Sequence, residues 1–152
     1  MKKFEFTGET KTISLFFRTA TLHRIRAVAE FGLVKVGDLG GWIEKEENLS
    51  HEGKAWVWGN AKVCGDAKVF SARHVLVIGA MGSRDDFTTF FRDKDNEITV
   101  KCGCFLGKID KFLEKVTQTH GDSKYALVYR AAVEVARLQI DLSGEAPKDA
   151  DE

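Results

Sequence analysis

Neither sign of charge is in excess in this chain, since 23 Lys and Arg stand against 23 Asp and Glu. No global field therefore steers it toward nucleic acid or an anionic membrane, and any anion binding has to come from a local patch. No window approaches the roughly 20 apolar residues of a membrane span. The opening MKKFEFTGETK carries lysines but no apolar stretch of signal-peptide length. Both absences point to the cytoplasm, and neither a membrane nor a nucleic acid is expected as a partner. Three cysteines, an odd number, do not make a disulfide framework, and their default state is the reduced thiol. Also missing are a Gly-Lys-Ser/Thr phosphate loop, a nucleophile elbow, a paired histidine-glutamate metal motif and a dinucleotide fingerprint. No catalytic residue, metal or cofactor is expected on these grounds.

What is present suits an ordinary globular protein. With 43% hydrophobic and 30% charged residues over 152 positions, the chain can build one domain or two small lobes sharing a core. Its most ordered feature is GKAWVWGNAKVCGDAKVF, residues 53–70, a six-residue phrase written three times. Val57, Val63 and Val69 recur every six residues, with Gly59, Gly65 and Ser71 two places later and Val75 opening a fourth rung. A branched residue turned inward and a small residue at each corner predict a parallel β-helix, and three rungs make about one triangular coil.

The longer stretch GDLGGWIEKEENLSHEGKAWVWGNAKVCGDAKV, residues 37–69, resembles the hexapeptide-repeat, left-handed β-helix proteins of bacteria, phages and prophages. Many of these are described as acyltransferases or polymer-forming proteins. The resemblance covers residues 22–78. It implies that the acetyl-transferring members stack many coils, hold acyl-CoA between coils of neighbouring subunits and use a histidine as base. This chain has only about one coil. His51 and His74 fall on rung positions, but neither has a visible partner or channel. A single coil leaves both ends of its ladder unpaired, to be covered by the N-terminal strands, the C-terminal lobe or another subunit. With Trp56 and Trp58 on that open edge, a homo-oligomer is expected.

The remainder reads as α+β. Residues 4–31 are strand-like, with Ile25, Ala27, Ala29 and Phe31 at period two, although a helix over 21–31 is an alternative. Gly32, Gly37, Gly40 and Gly41 punctuate a loop, and Trp42 and Ile43 begin the next extended segment. Beyond residue 78 come a glycine-rich loop, a strand over 87–92, a turn over 93–96 and a strand over 98–102. A helix follows Gly107 with a stripe of Ile109, Phe112, Leu113 and Val116. A second helix, capped by Asp122 or Ser123, presents Tyr125, Val128, Tyr129, Ala132, Val135 and Ala136. The division expected is a β-rich lobe over 1–78, a hairpin and two-helix lobe over 79–142, and a disordered acidic tail over 143–152 holding the only proline.

The candidate binding residues lie at the junction of the lobes. Gly79, Gly82, Ser83 and Arg84 combine backbone N–H groups, a hydroxyl and a guanidinium fork, and Thr88 and Arg92 add donors, which together suit a phosphate or carboxylate. A plain β-turn is the alternative. Cys102 and Cys104 with His120, and Cys64 at a stretch, fall short of a zinc set by their spacing, and buried structural thiols explain them better. Three functions remain open. The first is a non-enzymatic, oligomeric and phage-encoded binding protein for a small anionic or nucleotide-like ligand or a host protein, with interference in host defence as its extension. The second is an assembly unit of stacked coils, and the third a degenerate acyltransferase.

Overall fold

The computed structural model describes residues 2–143, so the expected tail lies, from residue 144 onward, outside the described residues. The chain is α+β, with two four-stranded sheets and two helices. Strands β1 (Phe4–Ser14) and β2 (Thr19–Ala27) form a long antiparallel hairpin, followed by β3 (Leu39–Ile43) and the two-residue β4 (Lys62–Val63), in the order β1-β2-β3-β4. The helix alternative over 21–31 is not adopted. Leu22, Ile25 and Ala27 are buried on a strand that pairs on both sides. Strands β5 (Val75–Met81), β6 (Asp86–Arg92), β7 (Ile98–Cys102) and β8 (Phe105–Lys108) make an antiparallel meander. Helices α1 (Ile109–His120) and α2 (Lys124–Gln139) follow. No helix among the described residues is long and apolar enough to cross a membrane.

The valines of the repeat all point inward: Val57, Val63 and Val69 are buried, as are Ala55, Ala61 and Ala67 two places before each. The pairing along this segment is parallel, and each partner lies 20 residues on: Trp42 with Lys62, Ile43 with Val63, Leu49 with Val69. No closed or solenoid sheet is seen among the described residues, and a regular coil is not formed. Only Lys62 and Val63 are strand, because the preceding segment breaks into a 3-10 turn at Glu46–Asn48. The free side of β3, where a further coil would stack, is taken by β2 in antiparallel register. Trp56 is also not on an open edge. It is buried, edge-on to Phe31, and only Trp58 is exposed.

The second sheet is a shared middle layer. Its period-two alternation sends Val75, Val77, Phe91 and Leu106 into the core beneath the repeat, and Leu76, Ile78, Phe90, Ile98 and Val100 into a second core under the helices. Three details differ from the expectation. The division at residue 78 falls inside β5, so residues 79–81 continue a strand where a loop was expected. Strand β8 was not foreseen. On α2 the buried face is Ala126, Tyr129, Ala132, Val133 and Ala136, while Tyr125 and Val135 are exposed. That helix is apolar on most of its circumference, so its pattern alone does not choose a face.

Candidate functional site

The expected binding residues do not form one cradle. A Cβ on Gly79 would strike Phe87, and one on Gly82 would strike Tyr129, so both glycines make room for neighbouring rings. The Ser83 N–H donates to the Tyr129 hydroxyl at 3.3 Å. Thr88 is buried and donates to the Cys102 sulfur at 3.4 Å. Arg92 is fully buried, its guanidinium 3.0 Å from His74 Nε2 and stacked 4.5 Å from the Phe70 ring. At about 3.3 Å per strand residue, Thr88 and Arg92 lie about 13 Å apart along β6. Gly79, Ser83 and Arg84 are exposed, and the Arg84 guanidinium lies beside Gly103.

Both histidines on rung positions are held by backbone hydrogen bonds and ring contacts. The Nδ1 of His51 accepts from the Lys3 N–H at 3.0 Å, and its ring stacks on Phe4. The Nδ1 of His74 accepts from the Phe70 N–H at 3.2 Å, and its ring is buried. Burial, reinforced by the Arg92 charge, pushes His74 down to about 4. Unfolding releases this group to the ordinary value of about 6.5, so the unfolded chain takes up a proton that the folded chain refuses. Stability from this source is complete above about pH 6.5 and falls progressively toward pH 4, by about 3 kcal/mol in all. Urea midpoints of the native chain and of His74→Gln at pH 7, 5.5 and 4.5 test this. The variant should show a flatter pH dependence, and equal slopes would contradict it.

A zinc site is not assembled. Among the described residues no group of three or more His, Cys, Asp or Glu side chains is placed to hold a metal ion. Cys64 is fully buried, and burial together with the Glu44 charge pushes its thiol up to about 11. His120 stacks on Tyr129.

What the fold does bring together is a set of lysines distant in sequence. On β1, Lys11 pairs with Leu22; on β2, Leu22 and Arg24 share a face; Arg24 pairs with Trp42, and Trp42 with Lys62. Cross-strand partners project to the same side of a sheet, so Lys11, Arg24, Trp42 and Lys62 occupy one face. Lys11 Nζ lies 4.2 Å from the Trp42 ring centroid. The Lys62 N–H donates to Thr89 Oγ1 at 3.0 Å, and Thr89 pairs with Lys101, which brings the second sheet's lysine beside the first sheet's. Lys101 is buried and donates to the Gly103 carbonyl, the same residue that Arg84 approaches.

The electrostatics of this face are unbalanced. Burial lowers the pKa of Lys101 and of Lys11, and the Lys62 charge lowers both further. The carboxylates of Glu9 and Asp86 oppose the effect. Lys11, Arg24, Lys62 and Lys101 thus face Glu9 and Asp86, an excess of two positive charges on a chain with none overall. A cleft of about 310 Å³ lined by Leu106, Arg18 and Lys108 offers the contrast. Its cations are already matched: Arg18 is bidentate to Glu44 at 2.7 and 3.0 Å, and Lys108 reaches Asp93 at 2.7 Å and Asp95 at 3.0 Å. Asp93 in turn accepts from Thr99 and from two backbone N–H groups, which closes the turn between β6 and β7.

No protein-family model matches the chain, and no curated protein is significantly similar to it. The likeness to hexapeptide-repeat proteins therefore rests on the sequence of residues 37–69 alone.

Proposed function

We propose that the chain is a non-enzymatic binding protein that holds a small polyanion, of the polyphosphate or nucleotide class, on the face formed by Lys11, Lys62 and Lys101, with Arg84 at its margin. The observation that carries this reading is the uncompensated charge. The Lys62 charge on β4 lowers the affinity of Lys11 on β1 and of Lys101 on β7 for protons, and a bound anion relieves that repulsion. In this reading the parallel pairs offset by 20 residues are one β-helix-like turn that serves as a scaffold, placing Lys62 against the second sheet. The chain works as a homo-oligomer in the cytoplasm. Exposed Phe16, Phe17, Leu33, Trp58, Leu127 and Leu138 favour burial against a second copy or a host protein. Phage carriage and interference with host defence follow from the resemblance alone.

Calorimetry with pyrophosphate, nucleotides, cyclic nucleotides and acyl-CoA tests the reading. Lys62→Met should weaken the best ligand about ten- to a hundredfold, the loss of a charge-assisted hydrogen bond worth about 1.5–3 kcal/mol. Arg84→Ala should cost less, and Lys111→Met, on the exposed side of α1, should cost nothing. A chain that binds none of these anions, or a Lys62→Met variant that binds as the native chain does, overturns it.

A further inference from the structure

Cys102, Gly103 and Cys104 form the connection between β7 and β8. Cys102 pairs with Phe105, so the turn holds two residues, and Gly103 at its first position has φ +57°. Glycine is the residue that a type II′ hairpin wants there. Both thiols are half-buried, in contrast to the fully buried Cys64. The two cysteines flank Gly103, whose positive φ lets the chain reverse between them. Three polar groups stand around the turn. Thr88 Oγ1 donates to the Cys102 sulfur at 3.4 Å, Lys101 Nζ lies on the Gly103 carbonyl, and the Arg84 guanidinium stands 3.7 Å from the open side of Gly103. The Cys104 carbonyl accepts from the Phe16 N–H at 3.0 Å, which ties the turn to the β1–β2 hairpin.

We propose that Cys102-Gly103-Cys104 is a thiol–disulfide exchange site for low-molecular-weight disulfides such as glutathione disulfide, and that its oxidation weakens the anion site through Lys101. The second half rests on the function proposed above. The Cys104 thiolate attacks one sulfur of the small disulfide, forming a mixed disulfide and expelling one thiolate. Cys102 then gives its proton to solvent, and its thiolate attacks the Cys104 sulfur, expelling the second small thiolate. The chain loses two electrons and two protons, and the small disulfide takes up both as two thiols. Cys104 goes first because Cys102 is engaged by Thr88 and packed against the helical core. Closing so small a ring fixes the backbone of Gly103, and its carbonyl leaves Lys101 without the acceptor that orients it.

The reduced full-length chain is equilibrated with glutathione disulfide, quenched with an alkylating agent, and followed by intact mass, peptide mapping and pyrophosphate calorimetry. The expected product has lost the mass of two hydrogens, joins Cys102 to Cys104, and leaves Cys64 open to alkylation only after unfolding. Oxidation should lower pyrophosphate affinity by about fivefold or more, and Cys104→Ser should abolish both the disulfide and the change in affinity. A persistent glutathione adduct, or a bond to Cys64, overturns the exchange site. A Cys102–Cys104 disulfide that leaves affinity unchanged overturns the coupling. If the disulfide forms but the reduced chain binds no pyrophosphate, the exchange site stands and the anion reading falls.

Discussion

Val63→Asp unfolds the N-terminal half of the chain, and thermal melting should show it as a loss of the native transition. Val63 is fully buried on β4 in a single cluster with Ile43, Val57, Val69 and Phe91. A carboxylate there has no partner, and the penalty for burying it is several kcal/mol, to be set against a total stability of about 5–15 kcal/mol for a domain. Because Phe91 belongs to the second sheet, the damage should spread through the shared layer. Lys68→Glu, one place before the next valine and half-buried, should melt close to the native chain. Matching melting temperatures for the two variants would show that the valine register carries no core.

Asn48→Ala should be nearly as damaging, by about 3 kcal/mol or more, with a fall in the urea midpoint at unchanged slope. Asn48 is fully buried and makes four hydrogen bonds. Its side-chain oxygen accepts from the Glu44 and Lys45 N–H groups at 3.1 and 3.0 Å, and its amide nitrogen donates to the Gly65 and Ala67 carbonyls at 3.1 and 3.2 Å. It thus clamps the 3-10 turn to the repeat, at residues 17 and 19 positions later. Each buried group left unpaired costs about 1–3 kcal/mol. Asn48→Asp is the sharper test, because it keeps the acceptor and turns the donor into a second oxygen facing two carbonyls. It should be at least as destabilising as alanine. A variant near native stability would mean that the clamp is not needed.

The parts of this fold legible in the sequence are those governed by local period. Val57, Val63 and Val69 are inward as their spacing requires, and Ile109, Phe112 and Val116 lie on the buried side of α1. Strand β7 runs over the residues expected. The rest depends on pairings between distant segments. Asn48 gives no local sign of being a clamp, since its partners at Gly65 and Ala67 are brought to it by the parallel ladder. Trp56 looked like an edge residue until the loop at Phe31 closed over it.

The binding residues show the same limit more sharply. Gly79 and Gly82 suggested an anion loop because glycine frees backbone donors, but here Phe87 and Tyr129 fill the space. Arg92 suggested a ligand fork, yet it is buried against His74 and Phe70. The three lysines come from three strands in two sheets, and no spacing in the sequence links Lys11, Lys62 and Lys101.

The most direct test of the anion site is the protonation of its own lysines. With lysine side chains labelled with carbon-13 at Cε, NMR titration of the free chain should find Lys101 and Lys11 losing their protons below the ordinary lysine range, in the direction that burial and the Lys62 charge impose. Saturating pyrophosphate should raise both values, because an anion favours the charged amine, and its affinity should grow as the pH falls through that range. Lys101 and Lys11 titrating identically in the presence and absence of pyrophosphate and nucleotides would contradict the account.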